Sequence, residues 1–120
     1  MSDLLRHWMP RVSRDIDDCI AFVGRQSWGK PQDRRADIHR GLDAIYAHPR
    51  LRPKEVQRPE SGLWLRSRRA AQVVIVYADI PATESGRPAI VSIRAVRHGS
   101  VADVFEELRE RAFDWPSFDL

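Results

Sequence analysis

Residues 72–99, QVVIVYADIPATESGRPAIVSIRAVRHG, decide the fold. The stretch holds two apolar runs separated by a turn-rich break. The first, 73–77, is β-branched at almost every position, which suits a pleated surface better than a helix. The second, 89–98, alternates more openly and ends in an Arg-His-Gly tip. Pro81, Ser85, Gly86 and Pro88 mark the break as a loop between strands. Two paired strands alone are marginal in water. The flanking segments must therefore cover one face of this hairpin, and the other face is expected to stay open.

Working outward, 63–69 also reads as a half-buried strand. Leu63, Leu65 and Ser67 point one way, and Trp64, Arg66 and Arg68 the other. Strand 73–78 is apolar on both faces, so it belongs at the centre. In 89–97, Val91, Ile93 and Ala95 share one face, and Ser92, Arg94, Val96 and His98 the other. Residues 49–61 contain three prolines and no clean period, which predicts an irregular basic connector.

Two helices precede these strands. Val12, Ile16, Cys19, Ile20 and Val23 form one helical face after Pro10. Asp15, Asp17 and Asp18 fall in its first turns, where negative charge complements the macrodipole, and Ser13 is a possible cap. Gly29 and Pro31 end this helix. A second spans 32–47 with Ile38, Leu42, Ile45 and Tyr46 as its stripe, and Gly41 inside it suggests a close helix–helix contact. A short connection makes the pair an αα-hairpin. Residues 4–8 read as a short edge strand. After Gly99, Ser100 caps a last helix over 101–113, and Trp115, Pro116 and Phe118 form an aromatic tail. Helices first and strands after indicate a single α+β domain over 1–120, a helical hairpin on a small antiparallel sheet with a C-terminal helix. The polar face of that sheet is expected to gather Trp64, Arg66, Arg68, Arg94 and His98.

A chain of 120 residues makes one modest core. No apolar run approaches the roughly 18 residues that span a membrane. The N-terminus lacks a secretory pattern, and the single Cys19 has no partner for an internal disulfide. These features predict a cytoplasmic protein without membrane contact. The formal charge is only +3, but residues 50–70 carry a local excess of five positive charges and 103–120 a local deficit of four. That asymmetry suggests a polyanionic or acidic partner, or two zones that face each other or solvent.

The four histidines share no ligand spacing with one another or with Cys19, so no metal site is expected. No phosphate loop and no nucleophile elbow are present, and no cofactor is implied. The arginines of the sheet are the one candidate constellation. Guanidinium groups hold phosphate bidentately, and Trp64 offers a stacking surface. Arg94, Arg97 and His98 at the strand exit add a proton-transfer group near neutral pH. The plainer reading is that these arginines are solvated strand residues.

Three stretches resemble the RelE/ParE superfamily of toxins from bacterial type II toxin–antitoxin modules. MPRVSRDIDDCI (9–20) is similar to the family's start of helix one, a Pro-Arg-Ala-x-Arg-Asp-Leu pattern. Residues 62–79 resemble its Gly-Leu strand and the following strand that ends in Val-Tyr. AIVSIRAVRHGSVADVFEEL (89–108) resembles its last strand and His-Gly corner. The resemblance implies a small α+β toxin bound by a cognate antitoxin. RelE-like members are mRNA interferases, metal-independent endoribonucleases that cut mRNA on the ribosome with basic residues and a late His or Tyr. ParE-like members inhibit growth by binding DNA gyrase. Here the position resembling the late tyrosine is Phe105, residues 62–79 hold no lysine, and Val74 stands where an arginine usually precedes Val-Tyr. A nuclease would rely on Arg94 and His98 for catalysis, with Trp64, Arg66, Arg68 and Arg97 binding target. The His98-Gly99 corner and the long helical hairpin look more like ParE, which needs no catalysis.

Overall fold

The computed structural model describes residues 4–25, 30–50, 54–57 and 64–110, with backbone alone at 54–57, Trp64, Phe105 and 107–110. In chain order the elements are β1 (Leu5–Trp8), α1 (Arg11–Gly24), α2 (Pro31–Ala47), β2 (Lys54–Gln57), β3 (Trp64–Ala70), β4 (Val73–Ile80), β5 (Ile90–His98) and α3 (Val101–Glu110). They build one five-stranded sheet in the order β1-β5-β4-β3-β2, with the β-branched β4 in the middle. The fold is α+β. The sheet is mixed rather than purely antiparallel, because β1 pairs β5 in parallel from Leu5↔Ile90 to Trp8↔Ile93. The expected irregular connector over 49–61 also contains an edge strand, β2, paired with β3. The expected helical extension to 113 and the aromatic tail fall outside the described residues.

The helical hairpin covers one face of the sheet. Val12, Ile16 and Cys19 of α1 and Ile38, Leu42 and Ile45 of α2 pack with Val73, Ile75, Tyr77, Val91, Ile93 and Val96. The opposite face is a second apolar core rather than an open polar surface. Leu65, Val74, Val76, Ala78, Ile80, Ile90 and Ala95 are buried there with Val104 of α3. Each fully buried Val or Ile contributes about 1.5–3 kcal/mol relative to exposure, which is what an open basic face would forgo. Ser100 caps α3, its Oγ accepting the Asp103 N–H at 3.1 Å. Ser13 caps nothing; α1 starts at Arg11 after Pro10, with no side-chain cap.

The alternation of β5 does not run straight through. Tyr77 pairs with Ile93 and Val76 with Ala95, so Arg94 is the extra residue of a β-bulge. Beyond the bulge every side chain changes face relative to strict alternation. Ala95 therefore joins the α3 core, while Val96 joins the core under the hairpin. His98, opposite Val73, lies on the hairpin side too. Arg66 and Arg68 pair with Tyr77 and Ile75, which also places them on the hairpin face.

Gly41 marks a helix–sheet contact, not a helix–helix one. A Cβ there would lie 2.8 Å from Ile75 Cδ1 and 2.9 Å from Ala70 Cβ. The Ile75 methyl has some freedom, but Ala70 Cβ is fixed to the β3 backbone. Replacing Gly by Ala in a helix gains about 1 kcal/mol of propensity, whereas overpacking costs about 1–3 kcal/mol. Gly41→Ala is expected to lower the unfolding free energy by about 1 kcal/mol in urea titration; a rise in stability would show that α2 moves off β3 without cost.

Candidate functional site

The sheet does not gather the arginines that the sequence points to. Arg94 is 0% exposed at the bulge, and its Nη1 lies 3.7 Å from Met9 Sδ. Arg66 is buried, with Nη2 3.6 Å from Asp79 Oδ2, and Arg50 Nε donates to the same carboxylate oxygen at 3.1 Å. Tyr77 beside them donates its hydroxyl to the Pro49 carbonyl at 2.9 Å. Arg68 is half-buried on β3. The Trp64 and Phe105 side chains lie outside the described residues. The expected polar face is therefore corrected: Arg66 and Arg68 share the hairpin face, and Arg94 is interior.

Only Arg97 and His98 come together at an accessible place, beside residues of α1 that the sheet-centred reading omits. β1 pairs β5 only as far as Ile93. Past that point α1 runs along the free edge of β5 and satisfies it with side chains. Asp15 Oδ2 accepts the Val96 N–H at 3.1 Å, and the Cys19 thiol donates to the Val96 carbonyl at 3.6 Å. Asp15 Oδ1 also pairs with Arg97 Nη1. The acid that reads as a macrodipole partner instead closes a strand edge. Burial, with the Asp15 charge next in weight, pushes the Cys19 thiol up to about 11, so it is a thiol and not a nucleophilic thiolate at neutral pH.

Outside this closed edge lies a groove of about 640 Å³, between α1 and the exit of β5. Arg11, Arg14, Asp18, Phe22 and Arg25 form its helical wall, and Arg97 and His98 its strand wall. The His98 and Phe22 rings meet at 4.6 Å between centroids, tilted by 46°. His98 Nε2 lies 3.4 Å from the Cys19 carbonyl, to which an N–H there donates. Gly99, at φ 124°, takes a conformation closed to most side chains in the short link between β5 and α3.

No family model matches this sequence, and no curated protein does. Among the described residues, no three of His, Cys, Asp and Glu gather as metal ligands, and no helix is long and apolar enough to cross a membrane. The groove residues missed in the sequence did leave a signal. Positions 11, 14, 18, 22 and 25 step by 3, 4, 4 and 3, a second helical stripe beside the apolar one.

The interior around Arg94 holds one further polar pair. His7 Nδ1 and Ser92 Oγ are 2.6 Å apart. Ser92 is fully buried, so no substrate reaches its oxygen and the pair is structural. Burial first, and then the Arg94 charge, hold the His7 pKa below its ordinary 6.5. His7 is thus favoured neutral in the folded chain, while the unfolded chain takes up a proton below pH 6.5. Its contribution to stability is present above pH 6.5 and is lost as the pH falls further. His7→Asn keeps a polar atom near the Nδ1 position and cannot titrate. Melting temperatures measured from pH 7 down to pH 5 should decline less steeply for His7→Asn than for the parent chain; parallel declines would remove His7 as the cause.

Asp15 is testable by denaturation. Asp15→Ala orphans the buried Val96 N–H and removes the Asp15–Arg97 ion pair, and is expected to lower the unfolding free energy by about 2–3 kcal/mol. Asp15→Asn, which retains an acceptor, should lose less. Equal losses would mean that the ion pair matters and the edge hydrogen bond does not.

Proposed function

We propose that the chain is the toxin of a type II toxin–antitoxin module of the RelE/ParE kind, held inactive in the cytoplasm by a cognate antitoxin. Its action is ParE-like: it inhibits growth by binding DNA gyrase and makes no covalent change in its target. The resemblance of 9–20, 62–79 and 89–108 to that family supports the reading, as does an element order with a helical hairpin ahead of the main strands.

The observation that carries the non-enzymatic choice is the position of Arg94. A ribonuclease built from this sequence depends on Arg94 to hold the scissile phosphate beside His98. Its guanidinium is interior, against Met9, while His98 packs on Phe22 at the groove. A phosphate cannot bridge a buried guanidinium and a half-buried imidazole at the groove without the strand opening. Binding a protein target asks for no such constellation.

The purified chain added to a gyrase supercoiling assay should block supercoiling at a stoichiometric excess. In a translating extract it should leave a reporter mRNA intact. Cleaved mRNA on translating ribosomes, with supercoiling untouched, would reverse the assignment to the RelE-like ribosome-dependent endonuclease. An absence of both effects, together with no growth defect on induction, would remove the toxin reading.

A further inference from the structure

We propose that the groove between α1 and the exit of β5 is a docking site for an acidic peptide segment of a partner protein, one with carboxylates flanking an apolar residue. This does not rest on the toxin reading.

The charge balance of the groove favours an anion. Asp15 and Arg97 neutralise each other and are committed to the closed edge of β5. That leaves Arg14 and Arg25 on the helical wall against the single carboxylate of Asp18. Arg34 of α2 adds a buried charge close to Cys19. It is 6% exposed, and its Nε and Nη1 have no hydrogen-bond acceptor. It is near enough to Cys19, which lines the groove, to draw that thiol's pKa down against the larger effect of burial. A buried guanidinium with two unpartnered nitrogens raises the positive potential around it.

The order of groups along α1 distinguishes a peptide from a nucleic acid. Arg14 and Arg25 are separated by eleven steps of helix, roughly 16 Å at 1.5 Å per residue. Asp18 and Phe22 stand between them, and Phe22 is 37% exposed. A single-stranded nucleic acid carries a negative charge at every nucleotide, so a strand following this wall sets phosphates against Asp18. An extended peptide covers the same span in about five residues, at roughly 3.3 Å each. It can place carboxylates only at its two ends and an apolar side chain on Phe22. Arginine and aromatic side chains with a mixed-charge rim are also the composition of protein interfaces.

The test uses the full chain and three fluorescein-labelled probes at fixed salt: Glu-Glu-Ser-Leu-Leu-Ser-Glu-Glu, the same peptide with Gln for Glu, and octathymidylate. Anisotropy should show the acidic peptide binding at least about tenfold more tightly than the Gln peptide. That preference should vanish in the double variant Arg14→Glu/Arg25→Glu. It should survive in Arg35→Glu/Arg40→Glu, which makes the same charge change at exposed positions of α2. Circular dichroism and urea midpoints establish that both double variants fold. The proposal is overturned by the absence of a preference for the acidic peptide, or by equal loss in the two double variants, which would mean general electrostatics. It is also overturned if octathymidylate binds more tightly than the acidic peptide and loses that binding in the Arg14/Arg25 variant.

Discussion

The Asp15 carboxylate on the free edge of β5 is the contact on which the rest of the structure depends. β1 is only four residues long and stops pairing at Ile93. Met9 donates its N–H to the Ile93 carbonyl at 3.0 Å, and the chain then turns through Pro10 into α1. From Arg94 to His98 the strand has lost its neighbour. An unpaired strand edge buried against a helix leaves backbone groups without water or partners, a large penalty for each one. Asp15 and Cys19, one helical turn apart, supply an acceptor and a donor to the two backbone groups of Val96. This closes the sheet against further strand pairing on that side. It also fixes the height and rotation of α1, so its second stripe meets the β5 exit as a groove.

The bulge at Arg94 is the second constraint, and it sets the register that brings Val96 to Asp15. One extra residue between the Tyr77↔Ile93 and Val76↔Ala95 pairs turns Val96 towards the hairpin core. It also places Ala95, a small side chain, in the α3 core. Strict alternation would have put Val91, Ile93 and Ala95 under the helices together and Val96 opposite. The observed arrangement keeps Val91, Ile93 and Val96, three branched side chains, under the helices.

Much of this was legible from particular residues. The β-branched run of β4 marks a central strand, the spacing of Val12, Ile16, Cys19 and Val23 marks α1, and Ser100 marks the start of α3. What was not legible has physical causes. A bulge changes pairing by one residue without altering composition, so the alternation of 89–97 read correctly only up to Ile93. The parallel pairing of β1 depends on a partner more than eighty positions away, and a four-residue run carries no sign of direction. β2 sits among prolines, which argue against a central strand yet are compatible with an edge. The second apolar face is hidden in the sequence because strict alternation places Arg94 on it and leaves Arg66 and Arg68 without a stated register. Register assigns them to the hairpin face, opposite Tyr77 and Ile75.

The interior place of Arg94 is what separates the two functional alternatives physically. Arginine is most often read as a surface residue because its charge resists burial. At a bulge the usual inference fails, since the extra residue projects where neither face of the pleat directs it. To present its guanidinium to a phosphate, the chain would have to withdraw Arg94 from beside Met9. That motion displaces Met9, whose N–H holds the β1–α1 corner to Ile93. It would also disturb the register that brings Val96 to Asp15. Exposing the arginine therefore means undoing the edge closure itself, a cost comparable to losing a buried hydrogen-bonded pair, about 3 kcal/mol or more. A catalyst preorganised for phosphate would carry that cost in every turnover, whereas a protein that acts by docking leaves β5 as it is.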